Sequence, residues 1–149
     1  MSVDSRPLQH QIGEMRHGPN DFENLDVYRL SEALSDHIWD LTKNWDNFAR
    51  DTIGKQLVRA ADSIGANIAE GTGRGAFQDN RRFVRIARAS LHETKHWLRR
   101  AHQRRLLTRE QINILKPLVD ELAPRLNAYL SSIGRKADSQ RITDNGQRT

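Results

Sequence analysis

The chain has no cysteine among its 149 residues. This absence excludes disulfides, thiolate metal sites and a cysteine nucleophile. Aromatic residues make up only 6% of the sequence and hydrophobic residues 36%, which favours thin helical packing or an oligomer over a thick β-sandwich. No apolar run approaches the roughly 18 residues that cross a bilayer, and the first residues lack the apolar centre of a signal peptide. We therefore expect a cytoplasmic protein without a membrane partner.

Positive charge is in excess instead. Lysine and arginine number 24 against 19 acidic residues, which gives a formal net charge of +5 and a pI near 10.1. A basic balance in a small protein points first to a polyanion such as nucleic acid. The length suits a single domain. We assign the folded domain to residues 22–134 and expect disordered polar tails at 1–21 and 135–149, where no apolar period is sustained.

Apolar residues recur at three- and four-residue steps in four segments, the spacing of amphipathic helices. The first predicted helix runs from Leu25 to near Trp45. The second takes Asp51 as its N-cap and stops at Gly71. Alanine, serine and glycine flank the larger aliphatic residues of this second helix, so we expect a neighbouring helix to pack closely against it.

The third predicted helix opens at Gln78 or Asp79 and runs to about Arg104. Its expected inner residues are Phe83, Ala87, Ser90, Thr94, Trp97, Leu98 and Ala101. The fourth begins at Thr108, which forms a capping box with Gln111.

Two prolines interrupt the fourth pattern. Pro117 and Pro124 each remove a backbone donor and crowd the preceding turn, so we expect a kink or a local break, with a split into two short helices as the alternative. No alternating run bounded by turns predicts a strand. Four long helices joined by short loops favour an all-α fold, an antiparallel up-down four-helix bundle.

A basic stripe on the third helix is the strongest candidate for a binding surface. Its members recur at three- and four-residue steps: Arg81, Arg85, Arg88, His92, Lys95 and Arg99. Arg82 and Arg100 extend the positive charge along its flank, and Arg74 in the preceding turn can reach an anion or pair with Glu70. Guanidinium groups match phosphate oxygens well. The pattern predicts RNA or DNA binding that is largely independent of sequence, because nothing in it reads a base edge.

Acidic residues on the first helix offer a competing interpretation. Asp26, Glu32, Asp36 and Asp40 of one subunit can meet the arginines of another, which makes the chain a structural or protein-interaction module. The sequence leaves the two interpretations open, and neither requires a cofactor.

Two enzymatic patterns overlap the basic stripe. His92 to His96 reads HETKH, the H-E-x-x-H spacing of zinc proteases, but Lys95 would lie beside the cation and no third ligand is evident. Arg85 and His92 have the spacing of an arginine–histidine pair in some small helical ribonucleases. Because arginine and histidine are dense here, either match arises readily by chance, and we expect no catalytic residue and no bound metal.

The glycine-rich run GTGRG, Gly71 to Gly75, is only superficially similar to a phosphate-binding loop. It has neither the preceding strand of a dinucleotide site nor the Lys-Ser/Thr pair of a P-loop. We assign its glycines to helix capping and a tight turn.

Several segments together resemble one family. They are FENLDVY at Phe22 to Tyr28, SIGANIAEGTGR at Ser63 to Arg74, FVRIARASLHE at Phe83 to Glu93, and the leucines of the fourth helix. With these, the chain resembles the bacterial four helix bundle family first met as proteins encoded in intervening sequences of 23S ribosomal RNA genes. The resemblance implies a ring-shaped homopentamer of up-down bundles. A related family, the accessory proteins of diversity-generating retroelements, implies a reverse transcriptase and nucleic acid as partners of a basic surface.

Overall fold

The computed structural model describes Pro7 and residues 22–147. This part of the chain is helical and contains no strand, which confirms the predicted all-α class. Its four long helices are α1 (Asp26–Thr42), α2 (Lys55–Gly73), α3 (Phe77–Gln103) and α4 (Arg109–Gly146). A 3-10 turn, Phe22–Asn24, precedes α1.

The four helices form a bundle in which each packs against its two neighbours, in the order α1, α2, α3, α4 and back to α1. The α2–α3 and α3–α4 connections have three and five residues, and the twelve residues between α1 and α2 include the helical segment 47–54. Such short loops make neighbouring helices antiparallel. Fully buried side chains from all four helices meet in the centre, among them Leu34, Ile64, Leu91 and Leu122. Burying each one contributes about 1.5–3 kcal/mol.

The start of α2 differs from the prediction. An α-helical turn, Asn47–Ala49, and a π-helical turn, Arg50–Gly54, lead directly into α2. The N-cap is Asp46, whose Oδ1 accepts a hydrogen bond from the backbone N–H of Ala49 at 2.9 Å. Asp51, the expected cap, lies inside the π-helical turn. The helical path therefore begins earlier than expected, and α1 ends correspondingly earlier, at Thr42.

Small residues bring α2 and α3 close together, as expected. The hydroxyls of Ser63 and Ser90 lie 3.0 Å apart across the two helices. Gly71 is buried, and a Cβ added to it would lie 3.1 Å from Phe83 Cβ. Helix α2 does not stop at Gly71 but continues to Gly73.

The inner face of α3 is rotated slightly from the predicted one. Val84 and Leu91 are almost completely buried, although neither belonged to the expected stripe. Phe83 and Trp97 are only partly buried. The large aromatic side chains suggested burial for Phe83 and Trp97. Instead, compact aliphatic side chains fill the centre of the bundle, and the two rings lie at its edge.

The C-terminus of α3 ends in a tight hydrogen-bonded turn. Arg105 N donates to the His102 carbonyl at 3.0 Å, and Leu106 N donates to the Ala101 carbonyl at 2.9 Å. These two bonds define a Schellman motif. Arg105 occupies its left-handed position with a φ of 61°, where glycine is the usual residue.

Helix α4 begins where the sequence predicted. Thr108 Oγ1 accepts a hydrogen bond from Gln111 N at 3.2 Å, and Gln111 Oε1 accepts one from Thr108 N at 2.9 Å. Both bonds of the capping box are therefore present. Pro117 and Pro124 lie inside α4, which remains one helix through both. Both prolines are exposed, so water can hydrate the carbonyls that they leave without a donor.

The expected tail after Gly134 is also helical, because α4 continues to Gly146. Glycine inside a helix costs only about 1 kcal/mol, and the arginine, lysine, alanine and glutamine that follow are good helix formers. The last buried side chain is Ile133, so the extension adds little to the core. The predicted tail at 1–21 lies outside the described residues apart from Pro7, as do Arg148 and Thr149. No described helix is both long and apolar enough to span a membrane.

Candidate nucleic-acid interface

The predicted basic stripe runs along the side of α3 that borders α4, and the structure divides it into two rows. Arg81, Arg88 and Lys95 are half-buried and form the inner row. Arg85, His92 and Arg99 are exposed and form the outer row. Members of each row are seven residues apart, which is close to two helical turns.

The inner row contacts α4. Arg88 Nη1 donates to Asn127 Oδ1 at 3.1 Å. The guanidinium carbon of Arg81 lies 3.9 Å from the position that a Cβ on Gly134 would take. Lys95 lines a groove with Asp120 of α4. Arg88 therefore links α3 to α4 by a hydrogen bond, while Arg81 and Lys95 lie beside α4 and add positive charge.

The outer row has no bonding partner in the described part of the chain. None of its three side chains, Arg85, His92 and Arg99, forms a hydrogen bond or ion pair with another described residue. Arg85 to Arg99 covers 14 residues, or about 21 Å along the helix axis. The three side chains thus present a straight, solvent-facing line of donors.

The cations of α3 lack carboxylate partners. None of its seven arginine and lysine side chains forms an ion pair with a described residue. Two of the four acids of α1 pair elsewhere in the same subunit: Asp40 binds Lys43 at 3.0 Å and Asp26 binds Arg125 at 3.2 Å. Pairing within one subunit therefore does not neutralise the basic face.

Acidic charge collects on a different part of the surface. Burial, followed by a hydrogen bond to Glu32 and the charges of Glu32, Glu23 and Asp36, raises the pKa of Tyr28 to about 12. The carboxylates of Glu23, Glu32 and Asp36 thus lie near one another at the beginning of α1. Helix α1 packs against α2 and α4, so this acidic cluster lies apart from the basic face of α3.

Arg74, Arg82 and Arg100 flank the stripe and are more constrained. Arg74 Nη2 lies 2.7 Å from Glu70 Oε1, which is the pairing that the sequence left open. The guanidinium carbons of Arg74 and Arg82 lie 5.0 and 5.1 Å from the centre of the Phe83 ring, within cation–π range. Arg100 donates to Gln103 Oε1 at 2.6 Å.

The enzymatic patterns do not assemble into a site. No group of three or more histidine, aspartate or glutamate side chains that could hold a metal is present among the described residues. Glu93 of the HETKH run instead accepts a hydrogen bond from Trp97 Nε1 at 3.3 Å. Arg85 and His92 are about 10 Å apart along the axis and make no contact that would orient them on one phosphate.

The glycine-rich run forms the connection between α2 and α3. Gly71 and Gly73 belong to the last turns of α2, and Gly75 has a φ of 77°. The run follows the carbonyl end of a helix, whose dipole disfavours anions. The structure therefore supports the predicted turn role for Gly75, whereas Gly71 and Gly73 lie within α2 and do not cap it.

A groove of about 520 Å³ lies between α3 and α4 at the end of the bundle that carries the α3–α4 loop. Leu98, Ile112 and Leu115 contribute apolar walls, and Lys95 and Arg99 lie at the same groove. Sequence reasoning did not anticipate that basic residues of α3 border an apolar depression, because the groove depends on how α4 packs.

Arg141 of α4 is a further basic residue that the sequence reasoning missed. It lines a cleft together with Arg81 and Arg85 of α3. The sequence predicts a tail at 135–149, and a tail has no fixed position relative to α3. The basic residues Arg135, Lys136 and Arg141 were the sequence signal that could have indicated a further basic surface.

Comparisons with known proteins agree with the fold. The 23S rRNA-intervening sequence protein family model matches residues 23–128. A protein of unknown function from the S23 ribosomal protein family of Bacteroides thetaiotaomicron has a similar crystal structure, with a TM-score of 0.65 and 27% sequence identity, over 70% of this chain and 95% of that chain. No curated protein matches the sequence. Since the family model covers more than half of the sequence, the chain belongs to the 23S rRNA-intervening sequence protein family.

Proposed function

We propose that this protein is a non-enzymatic, homo-oligomeric helical bundle that binds nucleic acid through the basic face of α3. The observation that carries the proposal is the set of seven α3 cations without a carboxylate partner among the described residues. Arginine side chains clustered on one helix face repel one another unless an anion compensates their charge. Phosphate oxygens supply that compensation and accept the planar guanidinium donors.

The outer row suits a phosphate backbone better than a single small anion. Its length of about 21 Å along α3 equals the rise of roughly six nucleotides at 3.4 Å each. The contacts are directed to phosphates, so binding is largely independent of sequence. We propose RNA, or an RNA–protein complex such as one that contains a reverse transcriptase, as the cytoplasmic partner.

Self-association is supported by exposed rings at the other side of the molecule. Phe48 is 80% and Trp39 59% exposed. Trp39 lines an apolar depression with Val58 of α2. Large exposed apolar side chains of this kind commonly mark contacts between proteins. We propose a homopentamer, the assembly that the family resemblance implies.

A structural scaffold is the second candidate. Glu32 and Asp36 on α1 are exposed and form no ion pair with a described residue. They can meet the outer row of a neighbouring subunit. In that arrangement the arginines are neutralised by the assembly, and nucleic acid binding is weak.

The test is fluorescence anisotropy of labelled RNA and DNA titrated with the full chain at several salt concentrations. The Arg85→Glu/Arg99→Glu variant changes the outer row without touching the inner-row contacts to α4. A matched control, Arg29→Glu/Arg109→Glu, makes the same charge change at exposed positions of α1 and α4, outside both α3 and the depression around Trp39. We expect the outer-row variant to lose most binding and the control to lose little.

The salt dependence adds a quantitative criterion. Each lost phosphate contact lowers the slope of log K against log salt by about 0.7 for a single strand, so two lost contacts lower it by about 1.4. Equal losses in both variants would indicate a response to net charge alone and refute a surface on α3. Absence of binding by folded wild-type protein at low salt would favour the scaffold. RNA cleavage that His92→Ala abolishes would contradict the non-enzymatic assignment.

A further inference from the structure

A cleft of about 350 Å³ lies between the first turns of α3 and the C-terminal part of α4. Its volume is at the lower end of the range for small-ligand pockets. The polar and aromatic side chains that line it are Arg81, Arg85, Arg141, Gln78, Gln140 and Phe77. Three guanidinium groups therefore converge on one concave site, and no carboxylate lines it.

Few internal contacts satisfy these arginines. Arg85 has no hydrogen-bond or ion-pair partner among the described residues. Arg81 Nε is shielded from solvent and likewise lacks an acceptor, which is unfavourable for a buried charged donor. Arg141 has one weak partner, Asp138 on its own helix, with Nη1 and Oδ1 4.0 Å apart and both side chains about three-quarters exposed. The cleft thus holds a surplus of positive charge.

The lining resembles what a nucleotide requires. A phosphomonoester carries a charge of about −1.5 to −2 at neutral pH, whereas each internal phosphodiester of a chain carries one negative charge. Several guanidinium groups around one site match the higher charge and the larger number of free oxygens. Phe77 is 39% exposed at the same cleft, and an exposed aromatic ring can stack on a base.

We propose that this cleft binds a phosphomonoester of a nucleotide, either free or at the end of a nucleic acid chain. The inference rests on the proposed function in one respect, because nucleic acid binding along α3 would deliver a chain end to Arg81 and Arg85. It goes further in assigning Arg141 and Phe77, which lie outside the basic stripe, and in specifying the terminal phosphate.

The experiment compares two oligonucleotides of one sequence, one with a 5′-phosphate and one with a 5′-hydroxyl, each labelled at the 3′ end. Adenosine monophosphate and inorganic phosphate serve as small probes in calorimetry. We expect the phosphorylated chain to bind about tenfold more tightly, the equivalent of one charge-assisted hydrogen bond. Arg141→Gln should remove this preference, while Arg109→Gln, an exposed substitution at the opposite end of α4, should retain it.

The outcomes separate the two proposals. Equal binding of both oligonucleotides by wild-type protein would overturn the cleft and leave the α3 surface intact. If neither oligonucleotide binds, the proposed function fails, and the calorimetric titration with adenosine monophosphate then tests the cleft independently. Binding of this nucleotide that is lost in Arg141→Gln would support the cleft, and no binding would overturn it. Phe77→Ala tests the ring: weaker nucleotide binding with unchanged inorganic phosphate binding would support stacking, and an equal effect on both would refute it.

Discussion

Replacing Gly71 with alanine tests how closely α2 and α3 approach each other. An added Cβ would lie 2.5 Å from Asn80 Oδ1, 3.1 Å from Phe83 Cβ and 3.3 Å from the Asn80 carbonyl oxygen. The amide of Asn80 can rotate away. Phe83 Cβ and the Asn80 carbonyl cannot, because they are fixed to the backbone of α3. The two helices must therefore move apart to accommodate the methyl group.

Two opposing effects set the size of the change. Overpacking costs about 1–3 kcal/mol, and alanine gains about 1 kcal/mol over glycine inside a helix. Because two of the three close contacts are with atoms that cannot rotate, the cost should lie in the upper part of the overpacking range. The Gly71→Ala variant should lose about 1–2 kcal/mol of unfolding free energy, which lowers Tm by about 5 °C in a domain of this size.

Urea unfolding followed by circular dichroism at fixed protein concentration measures this difference. Gly73→Ala is the matched control, since its added Cβ meets nothing within 4 Å. It should be as stable as the wild type or slightly more so. If Gly71→Ala proves as stable as Gly73→Ala, the close approach of the helices at this point is wrong. Adding Asn80→Ala to Gly71→Ala should restore only part of the loss.

Three further changes test individual features. Arg105→Gly relieves the left-handed backbone at the end of α3 and should raise the unfolding free energy by about 1 kcal/mol, measured by urea unfolding; a decrease would contradict this role. Thr108→Ala removes the N-cap of α4 and should cost about 1 kcal/mol, whereas Thr108→Ser should cost little. The folded protein favours the neutral phenol of Tyr28 and so raises its pKa to about 12. Because the unfolded chain loses this proton near pH 10, the unfolding free energy should fall as the pH rises from 10 to about 12. Tyr28→Phe should show a smaller fall in urea midpoint over this range.

Helix number, class and approximate bounds were predictable because the apolar period is strong in all four segments. Local signals placed the start of α4, since Thr108 and Gln111 cap it without help from the rest of the fold. The π-helical turn before α2 was not predictable. Asp46 caps this segment, and Ala49 and Ile53 are buried, but no local sequence pattern marks the extra residue. The extension of α4 past Gly134 was missed because a polar helix has no apolar period.

The basic stripe on α3 was predictable from the sequence, but its division into an inner and an outer row was not. Steps of three and four residues place Arg85, Arg88 and His92 on one side of α3. Which of them touches a neighbour depends on the position of α4, and only the packed bundle shows that Arg88 reaches Asn127. The position of Arg141 beside Arg81 and Arg85 was not predictable either. Arg141 belongs to residues 135–149, for which the sequence predicts a disordered tail.

The π-helical turn Arg50–Gly54 has a consequence for how the chain tolerates changes in length. A π-helical turn holds one residue more than an α-helical turn, and one residue corresponds to a rotation of about 100° around the helix axis. Deleting Asp51, which is exposed, would let the segment revert to an α-helix while α2 keeps its buried face from Leu57 onward. Because the π-helical turn absorbs the extra residue, Phe48 would keep about the same direction relative to α2. Single-residue insertions and deletions can therefore be accommodated here without turning either the exposed aromatic side chain or the buried face of α2.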